Sequence, residues 1–280
     1  MRDARTVLRE AALAPKRSFG QNFLVAREVV ANIARTCVPD DEVGRAHVLE
    51  LGAGLGVLTH ELAARAARVV AVERDRDLVP ILGRELATPI AEGRVTIVEG
   101  DAQTADPHAL LGDVAPRILC GNLPYQITGR LLEQATVHAA SIERAVFMIQ
   151  LEVAERLVAE PGTKAYGALT VFVRAAFKAR RAFVVSPGCF HPPPEVTSAV
   201  VVLEREEPRR AEETETFRAL VKGAFGARRK TLRNAWGRVA EPERIASAAN
   251  TAGISLDARG ETLNVDQYAA MARALGSSDP

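Results

Sequence analysis

The chain has 280 residues, of which 48 % are hydrophobic and 25 % charged, and its formal net charge at pH 7 is +1. These values predict a globular protein with one large and one smaller domain, and the charge argues against a protein that is basic over its whole surface. Three cysteines without a CxxC pair and five histidines without a ligand cluster argue against a disulfide framework and a metal site.

The N-terminal half of the chain has the pattern of alternating strands and helices. Residues 1–18 are polar and basic and are expected to form a loosely held arm that begins to order near Lys16. The repeated pattern of strand, turn and helix that begins at His47 predicts a mostly parallel sheet covered on both faces. The predicted strands are 47–51, 68–73, 94–98, 117–120 and 145–149, and the predicted helices are 57–66, 75–86, 128–138, with Thr128 as N-cap, and a last one that ends at Val158.

The pattern changes in the C-terminal half. The segments 168–177, 182–185 and 198–204 are expected to be strands that form an antiparallel edge of the sheet. A charged stretch then precedes three predicted helices, over 217–236, 242–251 and 265–275. The sequence therefore predicts an α/β domain over 1–206, with the arm 1–18, and a small all-α domain over 207–280.

A glycine-rich loop follows the first predicted strand. Its sequence, ELGAGLG at 50–56, combines glycines that let the backbone approach a ligand with a helix N-terminus that adds hydrogen-bond donors. The loop differs from the dinucleotide pattern GxGxxG because the third glycine, Gly56, comes one residue early. A plain tight turn is the competing interpretation.

Acidic residues follow the next two strands. Glu73 ends the second strand, where a carboxylate can meet the ribose hydroxyls of a bound nucleoside. Asp101 follows the third strand, where it can accept a hydrogen bond from an adenine amine. Either acid alone is more simply a solvated strand end, but together with the glycine-rich loop they indicate one crevice.

The tetrad Asn122-Leu123-Pro124-Tyr125 follows the fourth strand. Its amide oxygen and main-chain carbonyls can accept hydrogen bonds from an aromatic NH2 group, and its tyrosine ring can stack on the base that carries that group. A simple strand-to-helix turn uses the same residue types. The upstream motifs favour the binding site.

These motifs resemble those of a known family. In order, ELGAGLG, VVAVE, EGDA and GNLPY resemble the class I S-adenosylmethionine-dependent methyltransferases, and the tetrad resembles that of enzymes that methylate the amine of adenine. The stretches KRSFGQNFL at 16–24, FHPPPEVTSAV at 190–200 and ARRKTLRN at 227–234 resemble the ribosomal RNA adenine dimethyltransferases of the small-subunit, kasugamycin-susceptibility type. The resemblance extends from about residue 13 to 275, and Gln126 departs from it, since asparagine is frequent there.

The resemblance implies a Rossmann-like methyltransferase fold with a mostly parallel seven-stranded sheet, an antiparallel edge and a C-terminal helical domain. It implies methyl transfer from S-adenosylmethionine to two adjacent adenosines in the 3′-terminal hairpin loop of 16S rRNA, within the immature small ribosomal subunit. The residues assigned to the cofactor are Gln21, Asn22, Leu24, Gly52, Gly54, Glu73, Asp101, Ala102 and Asn122, and those assigned to the chemistry are Asn122, Leu123, Pro124, Tyr125 and Phe190.

The expected chemistry is mainly positioning. The side-chain oxygen of Asn122 and the carbonyl of Leu123 are expected to accept the two N–H groups of the target amine, which aims the nitrogen at the methyl carbon. The target base must leave its stack. Tyr125 is expected to cover one face of that base, and the resemblance assigns the other face to Phe190, for which core packing is an equal alternative.

A basic stretch in the C-terminal domain suggests contact with RNA. Residues 217–240 include seven basic residues and no acidic one. Phosphate contact is expected there, although a solvated helix face explains many such runs. The residues assigned to RNA are Lys222, Arg228, Arg229, Lys230 and Arg233, with Lys16 and Arg17 as a second contact. Phe225 and Trp236 are expected to pack inside the domain.

Two other functions remain open from the sequence. A ribosome-assembly factor could retain methylation only incidentally, and a DNA adenine methyltransferase would more usually carry DPPY than NLPY. The longest apolar runs are too short to span a bilayer, and the N-terminus has no apolar signal core. We therefore expect a cytoplasmic protein that has no membrane partner. The absence of an exposed heptad pattern and of a long edge strand leads us to expect a monomer.

Overall fold

The computed structural model describes residues 4–227 and 229–276, and the side chain of Arg17 lies outside that description. The chain divides into two compact units. The first unit contains Met1–Ala154 and Arg180–Glu204, and the second contains Glu155–Ala179 and Arg205–Pro280. The expected domain boundary at 206 lies close to the point between Glu204 and Arg205 where the chain last passes from the first unit to the second. Residues 155–179 belong to the second unit, whereas the sequence suggested the first.

The described residues form the following strands and helices. The strands are β1 (Phe23–Leu24), β2 (His47–Leu51), β3 (Arg68–Glu73), β4 (Val95–Glu99), β5 (Arg117–Asn122), β6 (Arg144–Gln150), β7 (Phe177–Val185), β8 (Phe190–His191) and β9 (Ser198–Arg205). The helices are α1 (Ala4–Glu10), α2 (Arg27–Cys37), α3 (Val57–Ala63), α4 (Val79–Glu85), α5 (Ala87–Ala91), α6 (Pro107–Leu111), α7 (Thr128–Val137), α8 (Leu151–Leu157), α9 (Ala168–Ala176), α10 (Glu215–Gly226), α11 (Leu232–Trp236), α12 (Pro242–Thr251) and α13 (Val265–Gly276). No described helix has both the length and the apolar character that a membrane span needs.

The central sheet has seven strands in the order β4-β3-β2-β5-β6-β9-β7. The pairs from β4 to β6 are parallel, and β9 runs antiparallel to β6. This confirms the predicted mostly parallel sheet with an antiparallel edge. In the register, Leu51 pairs with Val72 and Glu50 with Cys120, so β2, β3 and β5 end at the same edge of the sheet. Loops that follow these strands therefore converge there.

The segment 168–177 was expected to be a strand, and this prediction is wrong. Helix α9 covers Ala168–Ala176, and β7 begins at Phe177, five residues before the strand that was predicted at 182. Side chains on most sides of α9 are buried, including Thr170 and Val171. Such a continuous apolar run has no alternation, so its periodicity cannot distinguish a buried helix from a buried strand.

The N-terminal arm is also more ordered than expected. Residues 4–10 form α1, and Ala4, Val7 and Leu8 on that helix are buried. They pack with Phe23 and other apolar side chains of the first unit. The missed signal is the helical spacing of these three small and aliphatic residues within an otherwise charged stretch.

Several helix boundaries differ from the predictions; for example, α3 ends at Ala63 rather than at 66, and α4 begins at Val79 rather than at 75. The predicted helix over 217–236 is divided into α10 and α11. Thr128 is not the N-cap of α7, because Ile127 occupies that position and the hydroxyl of Thr128 donates to the carbonyl of Pro124 at 3.0 Å. Short polar residues near a helix start can bond to the preceding turn instead of capping the helix.

Aromatic side chains form the core of the second unit. Trp236 is fully buried and donates its indole N–H to the carbonyl of Leu220 at 2.8 Å. The ring centroid of Phe225 lies 6.2 Å from that of Tyr268. This confirms the expectation that Trp236 and Phe225 pack inside the helical unit.

The end of β5 lies unusually close to β2. A Cβ atom on Gly121 would lie 2.4 Å from the main-chain oxygen of Leu51, a contact that only glycine avoids. This close approach brings the residues that follow Gly121 to the edge where the loop after β2 begins. The glycine is therefore part of the local geometry that positions the tetrad.

We expect Gly121→Ala to destabilise the first unit by roughly 1–3 kcal/mol, because two backbone segments must separate to admit the methyl group. The measurement is the urea midpoint of the full chain. Gly129→Ala is the control, since Gly129 is an exposed position of α7 where an added Cβ meets no atom within 4 Å. It should be neutral or slightly stabilising. Equal midpoints for the two variants would contradict the prediction.

Candidate active site

A cavity opens at the edge of the sheet where β2, β3 and β5 end. The empty space in and around it, including open solvent at its mouth, is about 1160 Å³. The lining comes from residues 18–24, parts of 50–58, 72–74 with Leu78, 100–102 and 122–127. The structure thus brings together all the residues that the sequence assigned to the cofactor and the whole tetrad. All of them belong to the first unit.

The glycine-rich loop lines one part of the cavity and leads into α3. Gly56 occupies the N-cap position of α3 in the left-handed region, with a φ of 79°. A Cβ there would also lie 2.6 Å from Leu82. The early third glycine, which departs from the dinucleotide pattern, is therefore explained by a positive φ and by close packing against a neighbouring leucine.

The carboxylate of Glu73 joins two main-chain segments beside the cavity. It accepts hydrogen bonds from the main-chain N–H of Gly54 and from that of Asp75, both at 2.7 Å. Its side chain is only 8 % exposed. Burial raises the pKa of Glu73, although the backbone donors oppose the shift. Because each carboxylate oxygen has a second lone pair, Glu73 can still accept hydrogen bonds from ligand hydroxyls.

Asp101 follows β4, which is separated in the sheet by β3 from the strand β2 that precedes the glycine-rich loop. One of its oxygens accepts the main-chain N–H of Gln103 at 2.9 Å, which caps a short turn. The other lies 3.3 Å from the guanidinium of Arg74. These two contacts fix the carboxylate at the cavity, where both Asp101 and Ala102 line the wall.

The amide of Asn122 has a defined orientation. Its Nδ2 donates to the main-chain oxygen of Asn22 at 2.8 Å, which uses one of the two N–H groups of the amide and fixes its direction. Among the described residues its Oδ1 receives no hydrogen bond. The amide therefore presents a free acceptor in a cavity whose lining includes Leu123 and Tyr125.

The two aromatic residues assigned to the target base differ in position. Tyr125 lines the cavity, and its hydroxyl lies 2.7 Å from the Oγ of Ser198. Burial raises the pKa of Tyr125, and this hydrogen bond opposes the shift. Phe190 is only 2 % exposed, packs in the main core and does not line the cavity. The structure thus favours the core interpretation for Phe190 in this conformation.

Glu50 is a cavity residue that the sequence analysis did not assign. It is 2 % exposed and accepts a hydrogen bond from the hydroxyl of Thr59 at 2.6 Å. Burial raises the pKa of Glu50 to about 8, the Thr59 hydroxyl opposes this shift, and the charge of Glu73 adds to it. The available signal was a carboxylate inside an otherwise apolar strand, directly before the glycine-rich loop.

The N-terminal residues assigned to ligands also make intramolecular contacts. Lys16, assigned to RNA, places its ammonium 2.5 Å from Asp75 and 2.7 Å from Asp77. Gln21, assigned to the cofactor, donates to Asp75 at 2.7 Å. The side chain of Arg17, assigned to RNA, lies outside the described residues. An RNA phosphate at Lys16 would have to compete with two carboxylates.

The described basic residues of the second unit that were assigned to RNA are exposed. Lys222 follows the middle of α10, Arg229 and Lys230 lie in the turn after it, and Arg233 is on α11, 3.4 Å from Asp257. Lys222, Arg229 and Lys230 form no ion pair with any part of the chain that the structure describes. Arg228 lies outside the described residues.

Comparison with known proteins identifies relatives over nearly the whole chain. Residues 13–276 match the family described as ribosomal RNA adenine dimethylase. The ribosomal RNA small subunit methyltransferase A of Anaeromyxobacter dehalogenans is 44 % identical, with 97 % of each chain covered. The protein of the same name from Myxococcus xanthus is 41 % identical and covers 100 % of this chain and 98 % of its own.

Solved structures show the same fold. A dimethyladenosine transferase from Plasmodium falciparum aligns with a TM-score of 0.75 at 21 % identity, covering 89 % of this chain and 95 % of its own. The 23S rRNA methyltransferase ErmE aligns with a TM-score of 0.65 at 29 % identity, covering 91 % of this chain and 100 % of its own. With this fold, this cavity and relatives that match nearly from end to end, the chain belongs to the ribosomal RNA adenine dimethylase family.

Proposed function

We propose that this chain transfers methyl groups from S-adenosylmethionine to the exocyclic amines of two adjacent adenosines in the 3′-terminal hairpin loop of 16S rRNA. The observation that carries the proposal is the Asn122 amide, whose amino group is held by Asn22 while its oxygen remains a free acceptor in the cavity. The name of the relatives, ribosomal RNA small subunit methyltransferase A, supports this choice of RNA. We further propose that the protein acts as a cytoplasmic monomer on the immature small subunit.

The side chains of the cavity suit S-adenosylmethionine. The lining has three acidic side chains, Glu50, Glu73 and Asp101, against one basic side chain, Arg74, and a cationic ligand favours the ionised form of the three acids. When bound, S-adenosylmethionine supplies the methyl group as an electrophilic carbon on a positively charged sulfur. Glu73 is suited to the ribose hydroxyls and Asp101 to the adenine amine. Wall positions remain for the methionine end at Gly52 and Gly54 and for further contacts at Gln21, Asn22, Leu24 and Ala102.

The tetrad acts on the target amine by orientation. Asn122 Oδ1 and the carbonyl of Leu123 accept its two N–H groups, which directs the lone pair of the nitrogen away from both acceptors. The reaction then depends on positioning and on stabilising the positive charge that develops at nitrogen. No residue has to remove a proton before transfer, because the amine loses its proton after it has been methylated.

Tyr125 is suited to hold the flipped base. The hydrogen bond to Ser198 fixes the hydroxyl end of the ring, so that the ring can act as a rigid stacking surface. Pro124 sets the direction of the chain between Asn122 and this ring. A stacking role for Phe190 rests on the family resemblance alone and would need its buried side chain to move into the cavity.

The second unit is suited to bind RNA phosphates. Lys222, Arg229 and Lys230 are exposed without an ion-pair partner among the described residues, which leaves their charges available. Arg233 can exchange its weak contact with Asp257 for a phosphate. Arg228 belongs to the same basic run in the sequence. The assembly-factor alternative shares this RNA contact but does not need the free oxygen of Asn122.

We expect Asn122→Ala to lower the rate of methylation at least about 100-fold, since the substitution removes one of the two acceptors that orient the amine. The measurement is single-turnover methylation of small subunits that lack the modification, beside cofactor affinity by calorimetry. Asn32→Ala is the matched control, because it removes an exposed amide on α2. Full methylation by Asn122→Ala would refute the catalytic role. An assembly factor does not need this amide, so in that role the variant would still bind the small subunit.

We expect Arg229→Gln together with Lys230→Gln to weaken RNA binding and to reduce the slope of log K against log salt by about 1–2. Each phosphate contact releases about one counterion from the RNA, and the double variant loses two such contacts. The measurement is a salt titration of binding to small-subunit RNA. Arg35→Gln with Arg84→Gln removes the same charge from exposed positions of the first unit. The same slope in the wild type and in the Arg229/Lys230 variant would exclude these residues as phosphate contacts.

Glu50 makes the stability of the free protein depend on pH. Its pKa is about 8 when folded and near the ordinary 4.5 when unfolded, so between these values the folded state holds one more proton. Stability therefore falls as pH rises from about 5 to about 8, by an amount on the order of a few kcal/mol, since one pKa unit corresponds to about 1.4 kcal/mol.

We expect Glu50→Gln to flatten this pH dependence in urea titrations across that range, because the amide has no proton to lose. A cationic ligand favours the ionised carboxylate, so S-adenosylmethionine should release protons on binding near neutral pH. Calorimetry in two buffers of different ionisation enthalpy measures that release. An unchanged stability slope in Glu50→Gln would contradict the assignment of the titration to Glu50.

A further inference from the structure

Asp75 is a buried acid to which no motif assigns a role. Its side chain is 2 % exposed, and it accepts hydrogen bonds from the ammonium of Lys16 at 2.5 Å and from the amide of Gln21 at 2.7 Å. Burial alone would raise the pKa of Asp75, but the bonds from Lys16 and Gln21 outweigh it and the pKa is lowered. The main-chain N–H of Asp77 also donates to Asp75, at 3.1 Å, so Lys16 and Gln21 are the two side-chain partners of this buried anion. Both partners lie in residues 16–24, hereafter the N-terminal segment.

The backbone of Asp75 contacts the cofactor side of the cavity. Its main-chain N–H donates to one oxygen of Glu73, whose other oxygen accepts the N–H of Gly54. One residue thus links the glycine-rich loop, through Glu73, to the N-terminal segment, through its own carboxylate. A ligand that binds against Gly54 and Glu73 therefore contacts one end of this link.

The N-terminal segment contacts the catalytic side of the cavity. The side-chain oxygen of Gln21 accepts the main-chain N–H of Lys16 at 2.8 Å, which closes the turn from 16 to 21. Asn22 follows directly, and its carbonyl accepts the amino group of Asn122. The position of that carbonyl therefore follows from a turn that Asp75 holds at both ends.

We propose that Asp75 is a positioning residue: by holding the N-terminal segment against the cavity, it couples cofactor binding at Glu73 to the orientation of the Asn122 amide. The inference rests on the proposed function for the meaning of that orientation. Loss of the link leaves the segment held mainly at its C-terminal end, by the pairing of β1 with β8 and the burial of Phe23. The carbonyl of Asn22 then loosens, the Asn122 amide can rotate, and the cavity wall that residues 18–24 provide becomes less rigid.

The decisive variant is Lys16→Met, which removes the cation from a partly exposed side chain and leaves Asp75 in place. We expect amide hydrogen exchange at residues 18–24 of the ligand-free full chain to rise about tenfold, and the Kd for S-adenosylmethionine to rise about tenfold, equivalent to 1.4 kcal/mol. Lys16→Arg retains a donor for both carboxylates and should stay within about threefold of the wild type for both quantities.

Asp75→Asn should act in the same direction, and combining it with Lys16→Met should add little, because both substitutions break one link. If Asp75→Asn does not fold, Lys16→Met decides alone. Arg76→Met is the matched control: it removes a 2.8 Å ion pair with Glu99 from the same loop, and the Arg76 side chain is 86 % exposed. It should change neither exchange at 18–24 nor the Kd.

Unchanged exchange and an unchanged Kd in Lys16→Met would overturn the proposal, as would equal loosening by Arg76→Met.

Methylation measured on the same variants distinguishes an effect on cofactor binding from an effect on the orientation of the Asn122 amide. We expect kcat to fall at saturating cofactor in Lys16→Met, since the amide orientation is lost, and a change in cofactor KM alone would overturn the link to Asn122. Failure of the wild type to bind S-adenosylmethionine would instead refute the proposed function, while the exchange measurement on the free chain would still test the anchor.

Discussion

The carboxylate of Glu73 connects the main parts of the cavity. It sits at the last position of β3, where the parallel register brings that strand end beside the loop that follows β2. A buried carboxylate needs hydrogen-bond donors, and here the donors are the main-chain N–H groups of Gly54 and Asp75. The glycine-rich loop and the turn after β3 are thus held in one arrangement, and Asp75 extends that arrangement to the N-terminal segment.

The near-neutral net charge of the chain conceals two different local environments. Acidic side chains line the cavity of the first unit, whereas exposed basic side chains occur on α10, α11 and the turn between them in the second unit. A small cation and a polyanion are the ligands that such environments favour. Because these few residues are a small part of the 36 basic and 35 acidic residues of the chain, composition alone argued only against a uniformly basic protein, and the sequence positions of the charges carried the information.

Local sequence patterns predicted the parallel strands and the residues at their ends, because strand, turn and acid follow each other within a few residues. They did not predict α9, whose apolar sides are buried nearly all round, or α1, which is short. The contact between Lys16 and Asp75 joins residues 59 positions apart, and no local pattern reveals such a pair. Phe190 was assigned through family resemblance, which does not report how deeply a side chain is buried in one conformation.

Each unit is assembled from separate stretches of chain, and this has a consequence for biosynthesis. The first unit needs Arg180–Glu204, which a ribosome makes only after it has made Glu155–Ala179 of the second unit. A nascent chain that ends near Ala154 has β6 without the antiparallel neighbour β9, so one side of β6 is open to pairing with other chains. Completion of the first unit is therefore late in translation, and a fragment cut at that point is expected to aggregate rather than to fold as an independent methyltransferase domain.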